Sequence, residues 1–272
     1  MAKIRLDNLM MTRDLAPSRQ KARAMILAGE VKVNGLRVDK PGAGFNEEVD
    51  IIVESSSPRY VSRGGLKLEK AIEDFTIDFT NKVVLDVGAS TGGYTDCALQ
   101  NGAVRVFALD VGYGQLDWTL RNDPRVICLE RTNIRYFQPE QLGELVDIIT
   151  IDVSFISTTL VFPVIKDMLK NDGHIISLIK PQFEAGRNKV GKKGVVRDPN
   201  VHREVLLKCI ASADQEGLFC TGITYSPITG PQGNIEYFIL LNKKRLSPEL
   251  EIEKTVALVV AEAHQQLGGK GI

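Results

Sequence analysis

The sequence predicts an α/β fold: a Rossmann-like, doubly wound sheet of seven strands, carried behind a small N-terminal α+β domain. Three observations predict it. Beyond the polar break Glu54-Ser55-Ser56-Ser57-Pro58, short apolar runs alternate with helical patterns, the rhythm of a mostly parallel sheet. One of those runs leads directly into Gly88-x-x-x-Gly92-Gly93, a strand-to-helix turn. The last two runs are separated by the turn-rich Ser226-Pro227-Ile228-Thr229-Gly230-Pro231, too short for a crossover helix, so that pair should be antiparallel.

In chain order, residues 5–14 carry Leu6, Leu9 and Met10 at helical spacing. Ser18 is the expected N-cap of a second helix through Ala28, ended by Gly29, with Ala22, Met25 and Ile26 as its apolar stripe. Strands at 31–33 and 36–38 flank Asn34-Gly35, the strongest short hairpin signal, because both turn residues need positive φ. Residues 49–53 make one more strand. The larger domain should place strands at 83–87, 104–109, 126–129, 146–151, 174–179, 219–225 and 237–241. Helices are expected at 158–169 and 201–213, with a closing helix within 248–267. The expected domains are 1–57 and 64–272, joined by a linker at 58–63. Seven strands ending in an antiparallel hairpin are the methyltransferase variant of the doubly wound fold.

Composition bounds the function. The 272 residues are 43% hydrophobic and 25% charged, with 34 basic and 34 acidic side chains. Zero net charge counts mildly against a nucleic-acid binder. The balance is uneven, however: residues 1–45 hold nine basic groups against four acids, a surplus of five. The four cysteines, Cys97, Cys128, Cys209 and Cys220, form no Cys-x-x-Cys pair, which argues against zinc and against a disulfide framework. With three histidines, no metal is expected. There is no basic-then-apolar leader and no apolar run long enough to span a bilayer, so a cytoplasmic protein without membrane association is expected.

The turn Asp86-Val87-Gly88-Ala89-Ser90-Thr91-Gly92-Gly93 departs from Gly-x-Gly-x-x-Gly and is preceded by an acid. An acid beside the turn would repel a pyrophosphate but suits a cofactor with a sulfonium and an amino group, S-adenosylmethionine. This disfavours a nicotinamide dehydrogenase. Asp110, ending the next strand, is placed to accept ribose hydroxyls. Asn133 is placed at the adenine edge, and Phe155 against the cofactor or a target base. Charged residues gather at the strand ends where α/β chemistry sits: Asp152, Lys180 and Glu236, with Lys67 just ahead of the domain. A ribose hydroxyl must lose its proton as a methyl moves. A lysine that is partly desolvated or near another cation can act as the base, with the acids orienting it.

Ser62-Arg63-Gly64-Gly65-Leu66-Lys67-Leu68, the glycine turn, Asp152-Val153-Ser154-Phe155-Ile156-Ser157 and Lys180-Pro181-Gln182-Phe183-Glu184 together resemble the TlyA family, historically labelled haemolysin. Its catalytic domain is similar to FtsJ-like ribose methyltransferases. The resemblance implies a Lys-Asp-Lys-Glu tetrad at Lys67, Asp152, Lys180 and Glu236, with Lys180 as proton acceptor. It also implies 2′-O-methylation of cytidine in 23S ribosomal RNA and, in some members, 16S. The Glu236 assignment rests on a single acid in Asn234-Ile235-Glu236-Tyr237. The N-terminal segment resembles the S-four RNA-binding domain, in which Arg5, Arg19, Lys21 and Arg23 would meet phosphates on one helix face. A second basic stretch, Arg187, Lys189, Lys192, Lys193 and Arg197, reads as a mobile loop that closes over RNA. The expected partner is therefore ribosomal RNA or a ribosomal subunit. Two other classes are weighed: a membrane-active haemolysin, for which no amphipathic basic helix is found, and a non-catalytic assembly factor, against which the intact tetrad stands.

Overall fold

The computed structural model describes residues 3–27, 29–53, 58–191, 193–245 and 247–268. The chain divides into two compact units, Met1–Arg59 and Tyr60–Ile272.

The first unit contains β1 (Ile4–Arg5), α1 (Leu6–Thr12), α2 (Arg19–Leu27), β2 (Val31–Val33), β3 (Leu36–Arg37), β4 (Gly44–Phe45) and β5 (Ile51–Val53). Apolar residues at helical spacing on α1 and α2 meet the inward face of β2. Leu6, Met10, Ala22, Ile26, Val31 and Val33 form one buried core. Ser18 caps α2 by accepting from the Lys21 amide at 3.2 Å. Asn34 and Gly35 both take positive φ, 50° and 78°, and close the β2–β3 hairpin as the dipeptide demands. The expected helix end at Ala28 lies outside the described residues. The strand β4, too short to read in sequence, pairs antiparallel with β1.

The second unit contains α3 (Gly64–Phe75), β6 (Val83–Val87), α4 (Gly93–Gln100), β7 (Arg105–Leu109), α5 (Trp118–Arg121), β8 (Val126–Leu129), β9 (Val146–Ile151), α6 (Phe162–Ile165), β10 (Leu169–Ile179), α7 (Pro181–Glu184), α8 (Pro199–Gln215), β11 (Phe219–Tyr225), β12 (Tyr237–Asn242) and α9 (Ile252–Leu267). The seven-stranded sheet has the order β11-β12-β10-β9-β6-β7-β8. Only β12 runs antiparallel to its neighbours. The strands are apolar on both faces, as a sheet covered on both sides requires. Successive residues point to opposite faces, so neighbours part company. Leu85, Ile149, Ile175 and Ile239 enter the core shared with α8 and α9, whereas Val84, Ile148, Ile176 and Phe238 enter that of α3 and α4.

Four expectations are corrected. The single helix at 158–169 is instead a 3-10 turn, the short α6 and a second 3-10 turn. Pro163, in the first turn of α6, has no amide hydrogen to continue a helix begun at Thr158. Strand β10 starts at Leu169 rather than 174, with a register shift between Leu169 and His174. Residues 60–63, expected within the linker, belong to the second unit: Tyr60 is 2% exposed in its core, and the Val61 amide donates to Asp96 at 2.8 Å. Lastly, Lys67 lies within a three-turn helix, α3, that the sequence reading did not include.

Candidate active site

Register brings the charged groups together. Val87 is level with Ile151, and Ile179 with Tyr237, so the residues just beyond these strand ends share one edge of the sheet. They are Gly88, Asp152, Lys180 and, because β12 runs backwards, Glu236. Lys67 arrives from α3, whose start packs closely on the start of α4. A Cβ at Gly93 would lie 2.3 Å from Ser62 Oγ and 2.9 Å from the Gly65 nitrogen, so only glycine permits this approach.

The four charged groups form two ion pairs. Lys67 Nζ donates to Glu236 Oε2 at 2.6 Å. Lys180 Nζ lies 2.6 Å from Asp152 Oδ1 and donates to Ser154 Oγ at 2.8 Å. The Gln182 side-chain amide donates to Glu236 Oε1 at 3.5 Å. Both lysines and Glu236 are buried; Asp152 is partly so. The lysines were expected to perturb each other. In the structure each ammonium instead faces its own carboxylate. Ser154 and Gln182 were not singled out by the sequence reading, although both sit inside the motifs that carry the resemblance.

The glycine turn is compatible with a cofactor. Gly88 has φ of 89°, and a Cβ there would lie 2.5 Å from the Asp152 carbonyl oxygen. The Gly88 and Ala89 amides donate to the Leu109 carbonyl at 2.8 and 3.1 Å. Ser90 and Thr91 are exposed, whereas Ala89 is buried and Leu120 and Leu116 lie 2.3 and 2.8 Å from where a Cβ at Gly92 would stand. Gly92 and Gly93 lead into α4. Asp110 accepts from the Ser90 and Gly112 amides at 2.8 and 2.7 Å, which shapes the loop, and its remaining lone pairs stay available for hydroxyls.

Asp86 does not line the turn's surface. It is 1% exposed and accepts from Thr95 Oγ1 at 2.7 Å and Thr150 Oγ1 at 3.0 Å. Burial pushes its ionisation up to about 7, with the Asp152 charge adding and the two hydroxyls opposing. Its influence on a ligand is therefore electrostatic. Asn133 is exposed and caps the turn Ile134–Tyr136 by accepting from the Arg135 amide at 3.1 Å. It borders a hollow with Leu129, Arg131, Thr132 and Tyr136 beyond the end of β8. Phe155 is 92% exposed with φ of 64°, its ring 5.1 Å from that of Phe183.

A large cavity, lined by Leu207, Ile210, Phe219 and Leu258, opens at the start of β11. That is the opposite edge of the sheet, and no member of the tetrad lines it.

In the first unit, Arg5 forks onto the buried Asp7 with bonds of 3.0 and 2.9 Å, and Arg19 joins the same carboxylate at 3.2 Å. Arg5 first, against the cost of burial and with Arg19 helping, holds Asp7 below the usual carboxylate range. Asp7 thus aims two arginines, a role the sequence reading missed. Arg19, Lys21 and Arg23 are exposed on α2. They do not share one face as expected: at 3.6 residues per turn Arg19 and Arg23 are neighbours, while Lys21 points about 160° away from each.

The second basic stretch is tethered. Asn234 donates to the Gly194 carbonyl at 2.9 Å and accepts from the Val196 amide at 3.0 Å, and His202 meets the Val196 carbonyl at 3.0 Å. Lys189 pairs with Glu204; Lys189, Lys193 and Arg197 rim one hollow, and Lys192 lies outside the described residues. Among the described residues there is no cluster of three or more potential metal ligands, and no helix is long and apolar enough to cross a membrane.

Residues 60–243 match the FtsJ-like methyltransferase family model, and residues 4–48 match the S4 domain model. The fold and this match define an FtsJ-like methyltransferase, whose cofactor is S-adenosylmethionine. The chain is 48% identical to YqxC of Bacillus subtilis over 98% of its own length and 96% of the relative's. It is 45% identical to the 16S/23S rRNA (cytidine-2′-O)-methyltransferase TlyA of Mycobacterium tuberculosis, covering 87% and 89% of the two chains. A solved structure of a hemolysin-labelled chain from Streptococcus thermophilus matches it with a TM-score of 0.75 at 42% identity, over 98% of both chains. This chain belongs to the TlyA family of FtsJ-like methyltransferases.

Proposed function

We propose that the chain methylates the ribose 2′-hydroxyl of a cytidine in 23S ribosomal RNA, with 16S as a second candidate substrate, and with Lys67, Asp152, Lys180 and Glu236 as its catalytic tetrad. The observation that carries this reading is the pair of buried ion pairs at one sheet edge, beside the open glycine turn. Bound S-adenosylmethionine supplies an electrophilic methyl on a sulfonium. Gly88 to Gly93 and Asp110 would hold it, with Asn133 a candidate for its adenine and Asp86 acting through its charge.

Lys180, having shed its own proton, takes the proton of the 2′-hydroxyl as that oxygen bonds to the methyl carbon and the sulfur–carbon bond breaks. Asp152 and Ser154 keep Nζ in place for this transfer. Glu236 anchors Lys67, whose ammonium balances the negative charge growing on the ribose oxygen. Phe155, exposed against Phe183 with Lys180 Nζ 5.9 Å from the Phe183 ring, suits the target base better than the cofactor. Arg5, Arg19, Lys21 and Arg23, and the basic residues Lys189, Lys192 and Lys193 of the second basic stretch, are assigned to phosphate contacts, which position the RNA without reading its sequence.

The test is transfer of labelled methyl from S-adenosylmethionine to ribosomal subunits from a strain lacking the gene, followed by mapping. Methylation of one or two cytidine riboses is expected. Label on a base, or none on RNA, would sink the reading.

A further inference from the structure

The proposed tetrad leaves the buried Tyr94 hydroxyl unused. Tyr94, the second residue of α4, is 3% exposed. Its ring lies beside the start of α3, where a Cβ at Gly64 would come within 3.5 Å of Tyr94 Cδ1. The Tyr94 hydroxyl is buried and has no hydrogen-bond partner. The same is true of Asp152 Oδ1, which touches Lys180 as an ion but accepts no well-aligned hydrogen bond. Among the described residues, the Tyr94 hydroxyl is thus a buried donor without an acceptor, while Asp152 Oδ1 and Gln182 Oε1 are buried acceptors without a donor. Buried polar groups are rarely left this way.

The charges acting on the phenol are Asp152 foremost, then Glu236 and Asp86, with the Cys97 thiol behind them. Burial, together with these groups, drives its ionisation well above the ordinary phenol range, so Tyr94 remains a neutral donor. On the other side, Lys180 is faced by Ser154 and the Phe183 ring.

We propose that Tyr94 is a positioning residue whose hydroxyl donates to Asp152, directly or through one water, and shares that carboxylate with Lys180. The inference rests on the reading of Asp152 and Lys180 as the proton-accepting pair. A phenol that takes part of the carboxylate's charge loosens its hold on the ammonium. The pair then releases a proton at lower pH than it would without Tyr94.

Tyr94→Phe keeps the ring and its packing and removes only the donor. The acidic limb of the pH–rate profile for methyl transfer should move to higher pH by up to about one unit, with turnover at neutral pH falling up to about tenfold. Cofactor affinity, read by calorimetry, should stay unchanged. A second readout needs no turnover. The slowly exchanging Tyr94 hydroxyl proton, assigned in NMR spectra by its loss in Tyr94→Phe, should shift upfield in Asp152→Asn. A variant profile that overlays the wild type, or a hydroxyl signal indifferent to Asp152→Asn, overturns the proposal. Wild-type protein inactive on RNA at every pH would instead remove the parent reading, leaving the hydroxyl signal to judge Tyr94.

Discussion

Lys67 and Glu236, 169 residues apart in the chain, meet at 2.6 Å with almost no solvent on either side chain. Removing one member strands the other. Glu236→Ala should cost about 3–5 kcal/mol of stability and abolish methyl transfer. Lys67→Ala/Glu236→Ala should be more stable than the two single losses predict, yet equally inactive. Urea unfolding of the four proteins, with transfer assays alongside, checks both parts.

Lys180 is held by Asp152 and Ser154 rather than by the glycine turn. Lys180→Ala should therefore lower transfer by about 10²–10⁴-fold while leaving cofactor binding intact. Single-turnover assays and calorimetry separate the two effects. Wild-type transfer by this variant would remove the proposed base.

Asp86 gives the cofactor site a pH dependence. Burial raises its ionisation to about 7, so it is mostly neutral at pH 6 and mostly charged at pH 8. A bound cation favours the charged form, so affinity for S-adenosylmethionine should strengthen from pH 6 to pH 8. Asp86→Asn should flatten that trend. The sign for folding is opposite. The folded state holds this proton above the unfolded carboxylate's range, so Asp86 contributes less to stability as pH rises from about 4 through 7. Calorimetry and thermal melts across the range measure both.

The S4 unit makes a prediction about salt. Arg19→Ala should weaken binding to ribosomal RNA and reduce the slope of log affinity against log salt by about one. Asp7→Asn should weaken binding less, by releasing Arg5 and Arg19 from their shared anchor while keeping both charges. Filter binding at several salt concentrations distinguishes these outcomes.

Much of the sheet was legible in the sequence. Strands β6 and β9 lie where their apolar runs place them, because a strand buried on both faces writes itself as a continuous hydrophobic segment; the partly buried edge strands β8 and β11 also lie where expected. Asp152 and Lys180 could be singled out because they directly follow two such runs. The helix α3 could not, since it opens on Gly64-Gly65, residues that ordinarily mark a turn. Asn234 and Tyr94 carried no signal, for the first bonds a loop about 40 residues away and the second stands unpartnered in a site assembled from distant segments; Asp7 was missed although its partner Arg5 is only two residues away, because nothing in the sequence marked it as buried. The break at Pro163 was visible as a residue, but the helical apolar spacing around it outweighed it.

Local patterns alone therefore determined which residues stand at the strand ends and that the chain turns tightly at Gly88 to Gly93. Hydrophobic period and glycine placement are properties of neighbouring residues, readable without coordinates. Which carboxylate each ammonium meets was decided only by tertiary structure. That choice depends on β12 entering the sheet beside β10 and on α3 docking against α4, long-range packing that no short stretch of sequence encodes.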